Sequence, residues 1–382
     1  MIRIGKSCIE HVDGSVRLCA DISAEYKGKE LWQKRLWFGV SEAYGDSLTR
    51  GKADPFVAAL IIYALFRGLD IKCEDPVSER LLYSLNHTYI PALSFNCREY
   101  HSLKIIAEST DARQSCRNAT GAGISLGVDS LYTFYISSRT EYPVTHGCLI
   151  NNGFYEGADS REQFRRHGDL ALRFCRELGA ELVMIDSNIH EALEQRYLDV
   201  FSQWNMACLL ALQGLFSTYM CASGHRENEF VYNAHHSDFL DILTVECFST
   251  ETLRFFHSGG SVRRVDKIKE LCSYPPAYRY MHPCYLKPSW EKNCGKCIKD
   301  IRDMVTIYAL GAQDKFSDVY DFTGFKKRIP EALAFLMANE NEVLLRQPLE
   351  LWKEQGLDIP PKAKVYAEIF RKSAKRIEES RK

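Results

Sequence analysis

The stretch Gly123-Ile124-Ser125-Leu126-Gly127-Val128-Asp129-Ser130-Leu131 decides how this chain is read. A short apolar run ends at Ile124, and helical periodicity follows to about Ser138, so the segment reads as strand, loop, helix. At the carboxyl end of a parallel strand, the N–H groups of such a loop and of the first helical turn lack intrahelical partners. With the helix dipole behind them they favour an anion. Gly127 lets the backbone come close to phosphate oxygens, and Ser125 and Ser130 add hydroxyl donors. Asp129 is placed to hold the magnesium that accompanies pyrophosphate. The plain alternatives are a chance match and a cradle that has lost its ligand.

The surrounding sequence keeps the same rhythm. Val144–Ile150 is strand-like, Gln163–Leu178 is helical with Gly179 as its stop, and Leu182–Ile185 is apolar throughout. Strands apolar on both faces and alternating with helices imply a parallel sheet with helices on both sides. Two helical runs follow, and Phe230–Ala234 reads as a further strand. Upstream, Val16, Leu18, Ala20 and Ile22 alternate with polar residues as in a half-buried strand. Phe56, Ala59, Leu60 and Tyr63 share a helical face ending at Gly68, and His101–Ala107 reads as another strand. The polar stretch Ser109–Thr120 is the expected linker. From about Gln313 the pattern is helical, broken at Pro330, Pro348 and Pro360-Pro361. The expected domains are therefore an α+β domain over 1–117, a doubly wound parallel α/β domain over 118–312, and a helical tail over 313–382.

Bulk properties narrow the class. The chain has 382 residues, a net charge of −1 and 26% charged residues, which gives no field to draw nucleic acid or anionic lipid. The start, MIRIGKSCIEHVDG, lacks the apolar core of a secretory signal, and the apolar run Pro55–Phe66 is too short to cross a bilayer. These features suggest a cytoplasmic setting in which the 14 cysteines stay reduced and clustered ones are metal candidates.

The run S-x-G-V-D-S at Ser125–Ser130 resembles the S-G-G-x-D-S signature of the PP-loop, or N-type ATP pyrophosphatase, superfamily. That group includes GMP synthetase, asparagine synthetase, tRNA-thiolating enzymes and 7-cyano-7-deazaguanine synthase. The resemblance implies an adenine-nucleotide α-hydrolase-like fold, ATP with magnesium as cofactors, and cleavage between the α- and β-phosphates. Ser125, Gly127, Asp129 and Ser130 match, while Leu126 replaces the first glycine of the pair.

A second constellation strengthens the first. Cys294-Gly295-Lys296-Cys297 is a turn that lets two thiolates share one tetrahedral zinc; Cys284 offers a third sulfur and Asp300 a carboxylate. This region, about 272–303, resembles the zinc knuckle of the cyano-deazaguanine synthase type, with Asp300 where that family has its fourth cysteine. Lys299 and Arg302 also fit a wider group of PP-loop proteins carrying an extra N-terminal region. Zinc held by three sulfurs with Asp300, His282 or Cys272 would be structural; buried reduced thiols without metal are the alternative.

Other residues complete the expected site. His146, Gly147 and Asn151 are expected near the adenosine half of ATP, at the sheet rim. Asp186-Ser187-Asn188 ends the third strand, and His235-His236 follows another. Arg263-Arg264 and Lys267 are expected to neutralise pyrophosphate charge. In the C-terminal stretch, Val365, Ile369 and Phe370 offer a packing stripe. The functional expectation is an AMP- and pyrophosphate-forming ligase. It would activate a carboxylate or amide of a small molecule or peptide for attack by ammonia or an amine, with a homodimer left open. The alternatives are a sulfur transferase using Cys148 or Cys247, and a nucleotide-binding protein without turnover.

Overall fold

The computed structural model describes residues 1–155, 157–284 and 292–380, with side chains described as far as 372. The chain forms two compact units. One comprises Met1–Ile124 and Ile136–Gly260, the other Ser125–Tyr135 and Ser261–Lys382.

The first unit is an α/β assembly on a mostly parallel central sheet. Its strands are β1 (Ile2–Ile4), β2 (Cys8–Val12), β3 (Ser15–Tyr26), β4 (Lys29–Ser41), β5 (Ile71–Cys73), β6 (Val77–Ser78), β7 (Ile105–Ile106), β8 (Ser109–Thr110), β9 (Ala119–Gly123), β10 (His146–Asn151), β11 (Glu181–Ser187), β12 (Phe216–Ala222) and β13 (Arg254–Ser258). Eleven of them form one sheet in the order β13-β12-β9-β10-β11-β4-β3-β1-β5-β7, with β2 beside β3, while β6 and β8 pair separately. The five strands from β13 to β11 run parallel.

The N-terminal strands do not close a sheet of their own. β4 lies antiparallel to β11 with Ile185 opposite Val40, and this pairing carries β3, β1, β5 and β7 into the same sheet. The alternation on β3 explains why: Val16, Leu18, Ala20 and Ile22 all point into the core. The core of this unit is contiguous across both parts of the chain, with Phe38 and Phe56 from the first part and Trp204 and Phe248 from the second. The expected linker is likewise no free tether. Ser109–Thr110 pairs with Val77–Ser78, and Gln114 is held by Thr252 Oγ1 and the Leu48 carbonyl.

Small residues place β9 at the centre. A Cβ on Gly121 would lie 2.6 Å from the Tyr219 ring, so glycine there lets β12 pack closely. Phe216–Ala222 is the strand that sequence periodicity missed, and the expected strand Phe230–Ala234 is irregular backbone. Val231 is exposed there, so the apolar letters were not marking a buried edge.

The second unit is helical. Arg264–Leu271, Ile298–Ala309, Ile329–Ala338, Val343–Glu354 and Pro361–Ser380 are its principal helices, joined by the segment Ser125–Tyr135. Pro330 sits in the first turn of its helix, where its missing N–H costs nothing. Pro348 lies inside Val343–Glu354 without ending it, which corrects the expected break. The last helix is buried through Ala363 and Ala367, whereas Val365, Ile369 and Phe370 are exposed and do not form the expected packing stripe. No helix among the described residues is long and apolar enough to cross a membrane.

Candidate functional site

The expected loop forms where the sequence put it. Strand β9 ends at Gly123 and the helix Val128–Ser137 begins after the turn. Leu126 holds the turn in an unusual way: its φ is 55°, the left-handed region that glycine enters freely and leucine enters at a cost of about 1–2 kcal/mol. Its side chain is fully buried, while Ser125 is exposed and Gly127 half-exposed, so the leucine does not cover the open side of the turn. The Leu126 carbonyl accepts the His282 N–H at 2.7 Å, which fixes the peptide plane.

Internal hydrogen bonds organise the hydroxyls. Ser125 Oγ donates to Ser130 Oγ at 3.2 Å, Ser130 Oγ donates to the Gly127 carbonyl at 3.0 Å, and Gly127 N–H donates to Ser125 Oγ at 3.3 Å. The first bond of the helical ladder runs from Leu131 N–H to the Gly127 carbonyl, so the N–H groups of Val128, Asp129 and Ser130 precede it.

The Asp129 carboxylate meets the two expected cations. Arg264 and Lys267, one turn apart on the helix Arg264–Leu271, both reach it: Arg264 Nη1 bonds Oδ2, and Lys267 Nζ lies 3.0 Å from Oδ1. Burial pushes the Asp129 pKa up, but the Arg264 and Lys267 charges outweigh it and draw it down to about 2. Magnesium at Asp129 would have to share a carboxylate already engaged by two cations. Arg263 is turned elsewhere, to Asp266 and Glu354.

Three further residues belong to this cluster. Asp303, wholly buried, lies 3.4 Å from Arg264 Nε and 3.5 Å from Arg302 Nε. Lys299 and Arg302 are both shifted downward, Arg302 to about 10, by burial first and then by the Arg264 charge. Arg264 and Lys267 thus meet Asp129, Arg264 and Arg302 meet Asp303, and Lys299 stands close enough for the Arg264 charge to lower its pKa, a cluster of four cations in the unit that carries the turn. The available signal was charged residues at Lys299, Arg302 and Asp303, spaced along one face of a helix with an otherwise apolar pattern.

The cysteine cluster also assembles. One ligand atom from each of Cys284, Cys294, Cys297 and Asp300 lies within 4.8 Å of every other. Zinc–sulfur bonds of about 2.3 Å at tetrahedral angles would set sulfurs about 3.8 Å apart, so little contraction is needed. Cys294 Sγ accepts the Lys296 and Cys297 N–H groups, both at 3.3 Å, and Cys297 Sγ caps the helix Ile298–Ala309 by accepting Asp300 N–H. Asp300 Oδ2 accepts Gly295 N–H at 2.7 Å, while its buried Oδ1 has no hydrogen-bond partner among the described residues. That orphaned oxygen fits a metal ligand. Burial, followed by the Cys284 charge, raises the Asp300 pKa to about 6. Burial raises the Cys294 thiol, and the Cys284 contact raises Cys297. The set can hold a metal ion such as zinc. Cys272 is not part of it; burial alone pushes its thiol up to about 11.

Residues expected around adenosine are spread along one strand of the other unit. His146 and Gly147 begin β10, at its amino end, and so do not lie at the carboxyl rim as expected. Gly147 answers to packing, since a Cβ there would come 2.7 Å from Cys175 Sγ. Asn151 does end its strand, and its amide donates to Asp186 Oδ1 at 2.7 Å across the β10–β11 register. His235 is exposed, 3.8 Å from Glu99 and 3.7 Å from Asp199. Cys148 and Cys247 are buried, and desolvation lifts both thiols to about 12, which leaves neither as a thiolate nucleophile.

No family model matches the chain, and no curated protein matches its sequence.

Proposed function

We propose that the protein binds ATP through the turn Ser125–Ser130 and transfers its adenylyl group, releasing pyrophosphate. The supporting observation is the convergence of Arg264, Lys267, Lys299 and Arg302 against two carboxylates, all within the unit that carries the turn. Such a cluster of cations suits a ligand of several negative charges. In this reading the amides of the first helical turn and the Ser125 hydroxyl hold the phosphates. Arg264 and Lys267 stabilise the charge that develops on the leaving pyrophosphate, and Asp129 keeps both cations in position. Magnesium, when bound with the nucleotide, would neutralise phosphate charge. The adenylated group is a carboxylate or amide oxygen of a small molecule or peptide, and ammonia or an amine then displaces AMP from it. The fold is then a doubly wound, adenine-nucleotide α-hydrolase-like sheet. Zinc at the cysteine cluster is structural, since its ligand set closes without an open position.

One observation favours a second reading, a nucleotide-binding protein without turnover: Asp129 is already committed to two cations rather than open to magnesium. Sulfur transfer is the weaker alternative because Cys148 and Cys247 are buried and protonated.

Calorimetric titration with ATP and with pyrophosphate, each in magnesium, tests the proposal. Wild-type protein should bind both competitively, and Lys267→Met should weaken both by about tenfold or more. Absence of binding by either, in protein shown to be folded, would refute it.

A further inference from the structure

A cavity of about 370 Å³ opens at the amino ends of β12 and β13, within the range usual for small-molecule sites of about 300–1,000 Å³. It lies at the opposite end of these parallel strands from the carboxyl end of β9.

Three guanidinium groups line it: Arg80, Arg113 and Arg254. Arg80 is balanced, its Nη2 lying 2.8 Å from Glu246 Oε1. Arg113 and Arg254 are exposed and make no ion pair among the described residues. Arg254 instead lies 5.9 Å from the centre of the Phe256 ring, and Phe256 in turn packs 5.3 Å from Tyr142, which forms an aromatic wall of the cavity. Unpaired guanidinium groups gathered at one cavity favour an anion, and the planar fork of arginine matches the oxygens of a phosphate.

The carboxylate in the cavity asks for the complementary group. Glu251 Oε1 accepts the Arg80 N–H at 2.6 Å, but Oε2 is buried and has no hydrogen-bond partner among the described residues. A buried carboxylate oxygen left unpaired calls for a donor supplied from the cavity. Thr252 adds capacity, because its hydroxyl accepts the Gln114 N–H at 2.9 Å and keeps its own proton to donate.

We propose that this cavity binds a small phosphate monoester bearing free hydroxyl groups. The phosphate would sit on Arg113 and Arg254, a ligand hydroxyl would donate to Glu251 Oε2, and the body of the ligand would lie against Tyr142. Sugar phosphates and nucleotides share this chemistry. The site is independent of the ATP reading, since its residues belong to the sheet-bearing unit and those of the phosphate loop do not.

Calorimetry on the full chain carrying Lys267→Met, to silence the phosphate loop, tests the assignment with ribose 5-phosphate, AMP and ribose as probes. Saturable binding of ribose 5-phosphate and not of ribose is expected, weakened about tenfold or more by Arg113→Gln with Arg254→Gln. Glu251→Gln should weaken ribose 5-phosphate while leaving inorganic phosphate unchanged. Tighter binding of AMP than of ribose 5-phosphate would identify a nucleotide site; equal binding would identify a sugar-phosphate site. Binding that survives the double arginine substitution, or no saturable binding of either phosphate ester to the folded protein, would overturn the proposal.

Discussion

Two clusters in the helical unit share one helix, Ile298–Ala309, and run on opposite charge. At its first turn, Cys284, Cys294, Cys297 and Asp300 gather thiols around a carboxylate, and the Asp300 pKa is lifted to about 6. One turn further on, Arg302 and Asp303 join Arg264, Lys267 and Asp129, and the Asp129 pKa is drawn down to about 2. Both carboxyls are deeply placed, so desolvation raises both. Neighbouring charge decides the outcome: the Cys284 charge adds to the rise at Asp300, and guanidinium and ammonium groups reverse it at Asp129. One cluster gathers metal-type ligands, and the other gathers cations around two carboxylates.

The largest expected effect removes the cation-seeking cluster. The protein should carry one zinc per chain by elemental analysis, and Cys297→Ser should abolish it. Because structural zinc contributes on the order of 10 kcal/mol to small zinc domains, chelation should lower the denaturation midpoint sharply. Retention of full zinc in the variant would remove the contrast between the clusters.

Next comes the cluster around Asp129 and Asp303. Asp303→Ala takes the carboxylate away from Arg302, leaves Arg264 with Asp129 as its remaining carboxylate partner, and should cost about 3–5 kcal/mol in chemical denaturation. Zinc content should be unchanged. Loss of zinc there would mean that the shared helix couples the clusters more tightly than their separate charge balance implies.

Acidity separates them further. Asp129 has a folded pKa near 2, below its unfolded value, so its contribution of about 2 kcal/mol is complete above pH about 4 and lost as pH falls toward 2. Asp300 in the metal-free protein has a raised folded pKa. Its protonated form favours folding, and about 3 kcal/mol of stability is lost as pH rises from about 4 to 6. Asp129→Asn should flatten the lower window and Asp300→Asn the upper one, read from denaturation midpoints against pH. Zinc should reverse the upper slope, since it binds the deprotonated ligands.

The smallest effect concerns the turn itself. Leu126→Gly relieves about 1 kcal/mol of backbone strain but empties a buried site, for a net loss of about 2 kcal/mol with nucleotide affinity retained. A large fall in affinity would mean that the leucine, rather than the turn, shapes the anion site.

The regular parts of the molecule were legible. The alternation of Val16–Ile22, the helix ending at Gly68 and the strand–turn–helix at Ser125 all appear as read, because local period and cap residues suffice to define them. Less was legible where tertiary pairing decides. Phe216–Ala222 follows directly on the buried run Leu209–Leu215, so no period marked where the strand began. β4 carries Leu36, Phe38 and Val40 into the core, but nothing in one sequence states that β11 is its partner. At the site, Asp129, Arg264 and Lys267 were named from motif and spacing. Asp303 was passed over because a carboxylate on a helix ordinarily faces water, whereas this one is wholly buried between two guanidinium groups.

The most direct test follows the three phosphorus resonances of magnesium ATP by NMR as protein is added and incubation continues with candidate carboxylate acceptors and ammonia. The account predicts shifts of all three resonances on binding, followed by AMP as the only nucleotide product, with an equal amount of pyrophosphate. Formation of ADP with inorganic phosphate, or resonances that stay at their free positions at saturating protein, would contradict it.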